Sequence, residues 1–458
     1  MFLTVWPVPS PLNFSSTVEG ICRVTTDAIA PHTVSSLKHT SNSSNALTNH
    51  CGCTKSSLRQ SANLAKFWEL FRKYLGIAIQ FEDNVSASDL MEVFMPRVNS
   101  TFPLPASFDV DQYNLNEFLA SAILVLTIDT TSEQFFSQMF DVPDIEEAKA
   151  DLGKLHPGHS AAGEDEVHYS DIWKMDSTMI MNLVNECLRK RDKPLIWIIS
   201  ILIGVLKKGK KASDPNGYQA IALESCMLKF NGFRKGFRTN KNAVIFSVAI
   251  QKAKALNRTL WVASVNISNA FPSVHWAILW LKLQQLGAGG WIFDWIHMIY
   301  NEMVYKVWHG DSSSPQFQSL LGILAGDTIS LLLWILYFAD FNIPKTTDDI
   351  ELAGKYVSHL KQADDLLILA LSPEGLQHKM NLFYDWCKVN FLVINAIKSV
   401  VTYHGNPPPI IPVFHFADAI VEVVNQYTYV GTTLHGGPFW ADCFHTVLAP
   451  VTSRARSG

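Results

Sequence analysis

The sequence feature that most limits the possible folds is a pair of adjacent carboxylates between two apolar runs. Asp364 and Asp365 follow the partly apolar run 356–360 and precede the continuous apolar run 366–370. This pattern predicts two buried strands joined by a tight acidic turn. Because side chains alternate across a strand, only one of the two aspartates can point squarely into a given cleft. A plain Asp-Asp turn is the alternative, since aspartate is common in turns.

Other stretches with polar or glycine signals surround this acidic pair. The apolar run 260–265 predicts a strand that ends at Asn266, and Phe271 follows five positions later. Three more stretches come after it along the chain, and they are Leu321–Ser330, Ile394–Lys398 and Tyr429–Gly431. Each is unspecific alone, but their order and spacing around the Asp pair form a specific pattern.

Together, these five stretches resemble the palm motifs of reverse transcriptases. They look most like the polymerase of non-LTR (LINE-type) retrotransposons of the kind found in fungal genomes, and the resemblance covers roughly residues 60 to 435. It implies an α+β right-hand polymerase fold with fingers and a palm, in which helices cover an antiparallel palm sheet. After Gly431 only 27 residues follow, so a truncated thumb is expected.

The composition and the resemblance together suggest a division into five parts. The first part is rich in Ser, Thr and Asn, which predicts a disordered leader. The second part begins with a predicted helix, in which Leu64, Phe67, Trp68 and Phe71 recur at helical spacing. The expected parts are a leader (1–60), a helical N-terminal extension (61–150), a fingers-like region (151–258), the palm (259–435) and a short C-terminal tail (436–458).

The resemblance implies RNA-templated DNA synthesis from dNTPs, on an RNA template and a nicked-DNA primer, with two Mg²⁺ ions as cofactors. It assigns Asp364, Asp365 and position 266 as metal ligands. Where the family carries its first metal-binding aspartate, this chain has Asn266. An amide oxygen can coordinate a cation but supplies no negative charge, so we expect a polymerase with impaired activity.

Further residues acquire roles by the same resemblance. Lys398 matches the lysine that protonates leaving pyrophosphate, although an exposed lysine after a strand is an equal alternative. Phe271 resembles the steric gate against a ribose 2′-hydroxyl, and a core aromatic residue is its alternative. The remaining candidates for nucleotide binding are Gly326, Ser330 and Gln219, of which Gln219 replaces a family arginine suited to a triphosphate.

Two basic clusters are candidates for nucleic-acid binding. The resemblance places both beside template or primer phosphates, where cations neutralise charge and release counterions. A lysine run is more often a solvated face, which is the alternative for the first cluster. The candidate residues are Lys207, Lys208, Lys210, Lys211, Arg234, Lys235 and Arg238.

Composition limits the other functional classes. The formal net charge is −4, so the protein is not basic overall. Any site for a polyanion must therefore be a local basic patch. Seven scattered cysteines favour reduced thiols over a disulfide framework. No apolar run reaches the ~20 residues of a membrane span, and no signal peptide is evident, so we expect an intracellular protein, nuclear or cytoplasmic and not secreted. No pattern indicates a protein partner.

Three functional hypotheses remain open at this stage. The first is a reverse transcriptase-like protein with weak or no activity, because of Asn266, Gln219 and the expected truncated thumb. The second is a non-catalytic nucleic-acid-binding remnant that keeps the basic channel, and salt-dependent RNA affinity without nucleotide incorporation would favour it. The third is a product that does not fold stably, which a non-cooperative melt would indicate.

Overall fold

A computed structural model describes most of the chain between residues 85 and 437. The described residues are 85–99, 105, 107–155, 161–230, 240–324, 328–406, 409–429 and 432–437. Several predictions lie outside them, namely those for the leader 1–60, the start of the helical extension, Gly326, Val430–Gly431, the tail beyond 437 and the basic residues Arg234, Lys235 and Arg238.

Two helices form the described part of the N-terminal extension. The first, α1 (Ala87–Val98), begins at Ser86, whose hydroxyl accepts a hydrogen bond from the Asp89 N–H while the Asp89 carboxylate accepts one from the Ser86 N–H. This reciprocal cap satisfies two of the free N–H groups at the helix start. The second, α2 (Val110–Ser121), begins at Asp109, whose carboxylate accepts hydrogen bonds from the N–H groups of Asp111 and Gln112.

The region from 142 to 255 combines helices with the first two strands. Ile172, Ile180 and Val184 are fully buried and give this region its own apolar core. The run 195–206 divides into a short 3-10 turn and a strand. The elements are α3 (Val142–Leu155), α4 (Tyr169–Lys174), α5 (Ser177–Lys190), β1 (Ile199–Leu206), β2 (Tyr218–Leu223), α6 (Cys226–Phe230) and α7 (Asn240–Ala255).

The middle of the chain continues the first sheet and starts the second. Its elements are β3 (Leu260–Val265), α8 (Trp276–Gln285), α9 (Gly290–Glu302), β4 (Val304–His309), β5 (Ser312–Ser313) and β6 (Phe317–Gln318). Strand β1 pairs antiparallel with β2 and parallel with β4, in the order β2-β1-β4-β5, and β6 adds to β4. The first sheet therefore joins segments about one hundred residues apart, on both sides of the predicted boundary at 258.

The rest of the chain completes the second sheet. Its elements are α10 (Thr328–Tyr337), β7 (Ile350–Leu352), β8 (Lys355–Val357), β9 (His359–Gln362), β10 (Asp365–Ala370), α11 (Pro373–Val389), β11 (Val400–His404), β12 (Phe414–Phe416), β13 (Ala419–Val423), β14 (Gln426–Tyr429) and β15 (Thr432–His435). Six strands form the second sheet in the order β12-β13-β11-β3-β10-β9. Small hairpins, β7–β8 and β14–β15, complete the described strands.

Both faces of the second sheet are buried at its centre. On β10, Leu366 and Ile368 pack into the large core, whereas Leu367 and Leu369 pack into a second core on the opposite face. A strand that is buried on both faces needs a continuous apolar sequence, which explains the run 366–370. Helices cover this sheet, β3 pairs antiparallel with both β10 and β11, and the predicted α+β fold is confirmed.

A fully buried ion pair links α11 to the second sheet. The Lys379 Nζ donates to Asp349 Oδ1 and to the Leu369 carbonyl, both at 2.6 Å. Neither side chain of the pair is more than 1% exposed to solvent. The charges can be accommodated in the core only because each one neutralises the other.

None of the helices in the described part of the chain combines the length and hydrophobicity that a membrane-spanning helix needs.

A buried histidine on β11 predicts acid sensitivity. His404 is 1% exposed, and burial lowers its pKa from 6.5 to about 4. The unfolded chain therefore binds this proton at a higher pH than the folded chain does. Above pH 6.5 His404 is neutral in both states and does not change the free energy of unfolding. As the pH drops from 6.5 toward 4, we expect this residue to lower the free energy of unfolding by about 1.4 kcal/mol per pH unit.

Urea unfolding at several pH values measures this dependence. The variant His404→Gln should reduce the slope between pH 6.5 and 4, whereas His378→Gln, at an exposed histidine on α11, should leave it unchanged. Equal slopes for His404→Gln and the natural chain would contradict the assignment.

Candidate active site at the end of the central strands

The ends of β3 and β10 bring the candidate metal ligands together. These strands are antiparallel, with Leu366 opposite Val265. Asp365 is the first residue of β10, and Asn266 directly follows β3. Continuing the same register by one residue places Asn266 opposite Asp365, so their side chains belong to the same face of the sheet. Asp364 precedes Asp365 in the adjoining turn, and the three residues share one sheet edge.

The turn between β9 and β10 has two residues, Ala363 and Asp364. Gln362 and Asp365 pair across it, so Asp365 belongs to the strand and Asp364 forms the tip. Ala363 has a φ of +52°, which side chains with a Cβ rarely adopt. The tight acidic turn predicted from the sequence is therefore present, with the two aspartates in different backbone environments.

A buried tryptophan on α10 fixes this turn. The Trp334 indole N–H donates to the Ala363 carbonyl at 2.7 Å, and its side chain is completely buried. The same indole stacks on the half-buried Phe271 ring, with 5.3 Å between ring centroids and 23° between planes. Trp334 thus joins the candidate steric gate to the tip of the acidic hairpin. Trp334 carries no functional signal in the sequence, because an aromatic residue in an apolar helix predicts core packing and nothing more.

This hydrogen bond gives a stability prediction. The variant Trp334→Phe keeps an aromatic ring but removes the indole N–H, so the Ala363 carbonyl loses this hydrogen bond. We expect the free energy of unfolding to fall by about 1–2 kcal/mol more than in Trp280→Phe, measured by urea denaturation. Trp280 is the control because it is also a buried indole and its ring packs on Phe293 and Tyr300. Equal losses would show that the hydrogen bond contributes nothing.

The electrostatics of the hairpin tip favour a bound cation. Asp365 remains open to solvent, yet the surrounding protein removes part of its hydration, and this desolvation raises the pKa of its carboxyl group. The adjacent Asp364 carboxylate raises that pKa further. Two neighbouring carboxylates repel each other, and a bound cation stabilises their charged form. Carboxylate and amide oxygens are also the donors that hard divalent ions prefer.

Backbone contacts hold Asn266 in place. Its N–H donates to Ser399 Oγ at 3.0 Å, and its carbonyl accepts from the Asn395 N–H at 2.8 Å. Its side chain is half-buried, and the described residues offer it no hydrogen bond. Within the described part of the chain, these backbone hydrogen bonds are what position the residue. Within the described ranges, no three His, Cys, Asp or Glu side chains gather into a metal-binding group, so the site has two carboxylates and one amide.

The loop that fixes Asn266 also carries Lys398. Lys398 is exposed and directly precedes Ser399, and the register of β11 with β3 runs from Val400 opposite Ser264. Before β11 the chain turns: the Lys398 N–H donates to the Asn395 carbonyl at 3.2 Å, and the Asn395 N–H donates to the Asn266 carbonyl at 2.8 Å. The sequence prediction for Lys398 therefore falls on an exposed residue of the loop that contacts Asn266.

The candidate nucleotide-binding residues occupy different environments. Ser330 is completely buried, and its hydroxyl lies 3.1 Å from the Tyr300 hydroxyl, so it packs α10 against α9. Gln219 is exposed on β2, in the first sheet and not in the second. Of the predicted nucleotide contacts that the structure describes, Phe271 is therefore the one linked to the hairpin tip, through Trp334.

The first basic cluster forms an exposed turn. Lys207, Lys208, Lys210 and Lys211 directly follow β1, and all four are exposed. The Lys207 N–H donates to the Gly217 carbonyl at 3.0 Å, and Gly209 has a φ of +79°, which permits the tight turn. Four cations are thereby presented at one end of the first sheet.

Comparisons with known proteins agree with this geometry. Residues 217–434 match the family described as "Reverse transcriptase (RNA-dependent DNA polymerase)". The chain is similar to the Retrovirus-related Pol polyprotein from type-1 retrotransposable element R2 of Bradysia coprophila, with 26% identity over 159 residues, which cover 34% of this chain and 18% of that protein.

A second relative gives the same result. It is the Retrovirus-related Pol polyprotein from type-2 retrotransposable element R2DM of Drosophila melanogaster, with 25% identity over 169 residues, covering 36% of this chain and 16% of that protein. The chain therefore spans less than a fifth of the length of the curated relatives it matches.

Proposed function

Because residues 217–434 form a reverse transcriptase domain of a non-LTR element, we propose that this chain adds dNTPs to a DNA primer on an RNA template, with activity impaired by Asn266. The observation that supports this most is the pairing of β3 with β10, which brings Asn266, Asp364 and Asp365 to one edge. The reverse transcriptase assignment made from the motifs is confirmed, whereas the fungal-like origin and the impairment stay predictions.

Divalent metal ions are general cofactors of this family, and its substrates are a nucleic-acid template, a primer and nucleotides. For this chain we propose Mg²⁺, bound through Asp364 and Asp365 with the Asn266 amide oxygen as a weaker third donor. The chemistry that such ions supply is activation of the primer hydroxyl and stabilisation of the leaving pyrophosphate. The residues present suit such ions in donor type, but they provide one negative charge fewer than the family pattern.

Roles for the neighbouring residues follow from their positions. We propose that Phe271, fixed by its stacking on Trp334, limits the space for a ribose 2′-hydroxyl. Lys398, exposed in the loop that contacts Asn266, is our candidate proton donor to pyrophosphate. Gly326 and Ser330 remain proposed contacts to template and nucleotide through their segment, since the Ser330 hydroxyl itself is buried. Gln219 stays a proposed, weakened triphosphate contact.

We propose the same division of the chain as the sequence suggested. The fingers would comprise 151–258 and the palm 259–435, with a helical extension before them and a short tail after them. The parallel pairing of β1 with β4 adds one qualification, because a strand from the palm range completes the sheet of the fingers range.

Primer extension tests this function. The natural chain is incubated with an RNA template, an annealed DNA primer, dNTPs and Mg²⁺, and compared with Asp364→Ala. Extension that is lost in Asp364→Ala supports the proposal. If Asp364→Ala still extends the primer, the activity does not depend on this site and the proposal is wrong. If the natural chain does not extend the primer, the second candidate function becomes the better hypothesis.

The second candidate is a nucleic-acid-binding remnant without polymerase activity. The observation that favours it is the combination of a missing carboxylate at position 266 with an intact, exposed lysine turn after β1. Cations on an exposed turn bind phosphate regardless of the catalytic site.

This binding leads to a salt-dependence prediction. Replacing Lys207, Lys208, Lys210 and Lys211 with alanine should weaken binding to single-stranded RNA and reduce the slope of log affinity against log salt by up to about 3. Fluorescence anisotropy with labelled RNA at several salt concentrations measures the slope. The matched control replaces Lys252, Lys254, Lys345 and Lys355, four exposed lysines on α7 and near β8. Equal slopes for the two variants would show that the turn has no special role.

A further inference from the structure

The acidic hairpin, formed by β9, β10 and the turn between them, lies at an edge of the second sheet. Strand β9 is the last in the order β12-β13-β11-β3-β10-β9, and in the described part of the chain β10 is its strand partner. An edge strand presents a row of backbone groups that no neighbouring strand pairs with. The position of Asp364 and Asp365 therefore depends on what holds the open side of β9.

An asparagine on α7 contacts β9 just before the acidic turn. The Asn242 side-chain amide donates a hydrogen bond to the Lys361 carbonyl at 2.6 Å. The same amide nitrogen lies 3.3 Å from the Oε1 of Gln362. Lys361 and Gln362 are the last two residues of β9. Asn242 therefore supplies a donor to the edge strand close to Asp364.

The same asparagine connects the acidic hairpin to β14. The Asn242 amide nitrogen lies 3.5 Å from the hydroxyl of Tyr429, the last residue of β14, and the Tyr429 side chain is buried. Burial raises the pKa of this tyrosine to about 12, and the nearby charge of Asp365 contributes to the increase. Tyr429 therefore lies near the acidic edge, and Asn242 contacts both the hairpin and Tyr429.

Contacts from α10 and the residues after it hold the same part of the hairpin. The Lys361 Nζ donates to the carbonyls of Phe338 and Phe341, at 2.9 and 2.8 Å. Trp334 donates to the carbonyl of Ala363, two residues further along the hairpin. The segment 361–363 is therefore held from two directions along the chain, by α7 through Asn242 and by the region of α10.

We propose that Asn242 is a positioning residue of the candidate active site, which fixes the acidic hairpin so that Asp364 and Asp365 can hold a divalent cation. This inference rests on the proposed function, because it concerns the cation site assigned there. Asn242 acts on the two carboxylates through the backbone of β9 and does not itself bind the cation. Groups that hydrogen-bond behind a metal site orient its ligands, and their loss costs about 10- to 100-fold in metal affinity or activity.

Titration of the full chain with Mn²⁺, followed by electron paramagnetic resonance, tests this role without requiring primer extension. Mn²⁺ accepts the same oxygen ligands as Mg²⁺, and the signal of the free ion decreases as it binds. The binding that Asp364→Ala removes defines the site at the hairpin. Asn242→Ala should weaken this binding about tenfold. The same comparison in the Asn266→Asp chain, whose site gains a carboxylate, should give a similar loss.

Two further variants separate positioning from charge and from stability. Asn242→Asp keeps the size of the side chain but removes the N–H that the Lys361 carbonyl accepts. It should also weaken Mn²⁺ binding, although an added negative charge alone would strengthen it. The matched control is Asn185→Ala, because Asn185 is a buried asparagine on α5 whose amide donates to the Phe140 carbonyl at 2.8 Å. This control should lower the free energy of unfolding in urea and leave Mn²⁺ affinity unchanged.

An unchanged Mn²⁺ affinity in Asn242→Ala would overturn this inference and leave the proposed function intact. A higher affinity in Asn242→Asp, or an equal loss of affinity in Asn185→Ala, would also overturn it, because charge or general destabilisation would then explain the effect. Mn²⁺ binding that does not depend on Asp364, in the natural chain and in Asn266→Asp, would overturn it together with the cation site. A chain that binds Mn²⁺ through Asp364 and extends no primer would contradict the proposed function alone.

Discussion

We expect the Asn266→Asp variant to extend a DNA primer on an RNA template at least about tenfold faster than the natural chain. Asn266 and Asp365 fall opposite each other at the ends of β3 and β10, and the backbone of Asn266 is fixed by Ser399 and Asn395. The substitution therefore adds a negative charge at a positioned site without a change in size. Outer-shell changes at metal sites alter activity by about 10- to 100-fold, so restoring a ligand should do at least as much.

The measurement is the initial rate of extension over a range of Mg²⁺ concentrations. An added carboxylate should also lower the Mg²⁺ concentration at half-maximal rate, because it raises the affinity of the site for the cation. Asn266→Asp/Asp364→Ala should abolish the gain. The matched control is Asn269→Asp, which places the same charge three residues away at an exposed position.

Each alternative outcome has a distinct meaning. If Asn269→Asp accelerates extension as much as Asn266→Asp, general electrostatics and not ligand geometry is responsible. If the natural chain already extends primer and Asn266→Asp adds nothing, Asn266 is a working ligand and the impairment prediction is wrong. If neither chain extends primer, binding without catalysis becomes the better hypothesis.

The second large effect concerns stability. Lys379→Met should lower the free energy of unfolding by about 3–5 kcal/mol, because it leaves the Asp349 charge buried without its partner. Lys379 also donates to the Leu369 carbonyl on β10, so the substitution removes a contact to the strand that carries the acidic tip. Urea unfolding at neutral pH measures the loss.

Two variants separate the ion pair from the volume of the lysine. Lys379→Met/Asp349→Leu removes both charges and should recover most of the loss, since a buried pair can be replaced by apolar residues at little cost. Lys388→Met, at an exposed position on the same helix, should change stability by less than about 0.5 kcal/mol. A loss of similar size in the double variant would show that packing and not charge is responsible.

The sequence predicts the acidic hairpin and the strand before Asn266 well because the signals there are local and strong. The continuous run 366–370 identifies a strand buried on both faces, and Asp364 and Asp365 directly before it identify the turn.

Contacts between distant segments are what the sequence does not reveal. The parallel pairing of β1 with β4, the hydrogen bond from Trp334 to Ala363 and the pair of Lys379 with Asp349 each join residues whose local patterns carry no information on a partner. Periodicity shows that a residue is buried but not against what. Ser330 illustrates this, because a motif position predicted to contact nucleotide has its hydroxyl against Tyr300.

The order of strands in the second sheet also determines when the site can form during synthesis. Strand β3 pairs with segments that begin about one hundred and about one hundred and forty residues later in the chain. Closing such long loops is slow, and β3 has no partner until most of the protein has left the ribosome. A nascent chain that stops before β10 therefore exposes an apolar strand with both edges unpaired, which is the form most prone to aggregate. The acidic edge is consequently one of the last features to assemble.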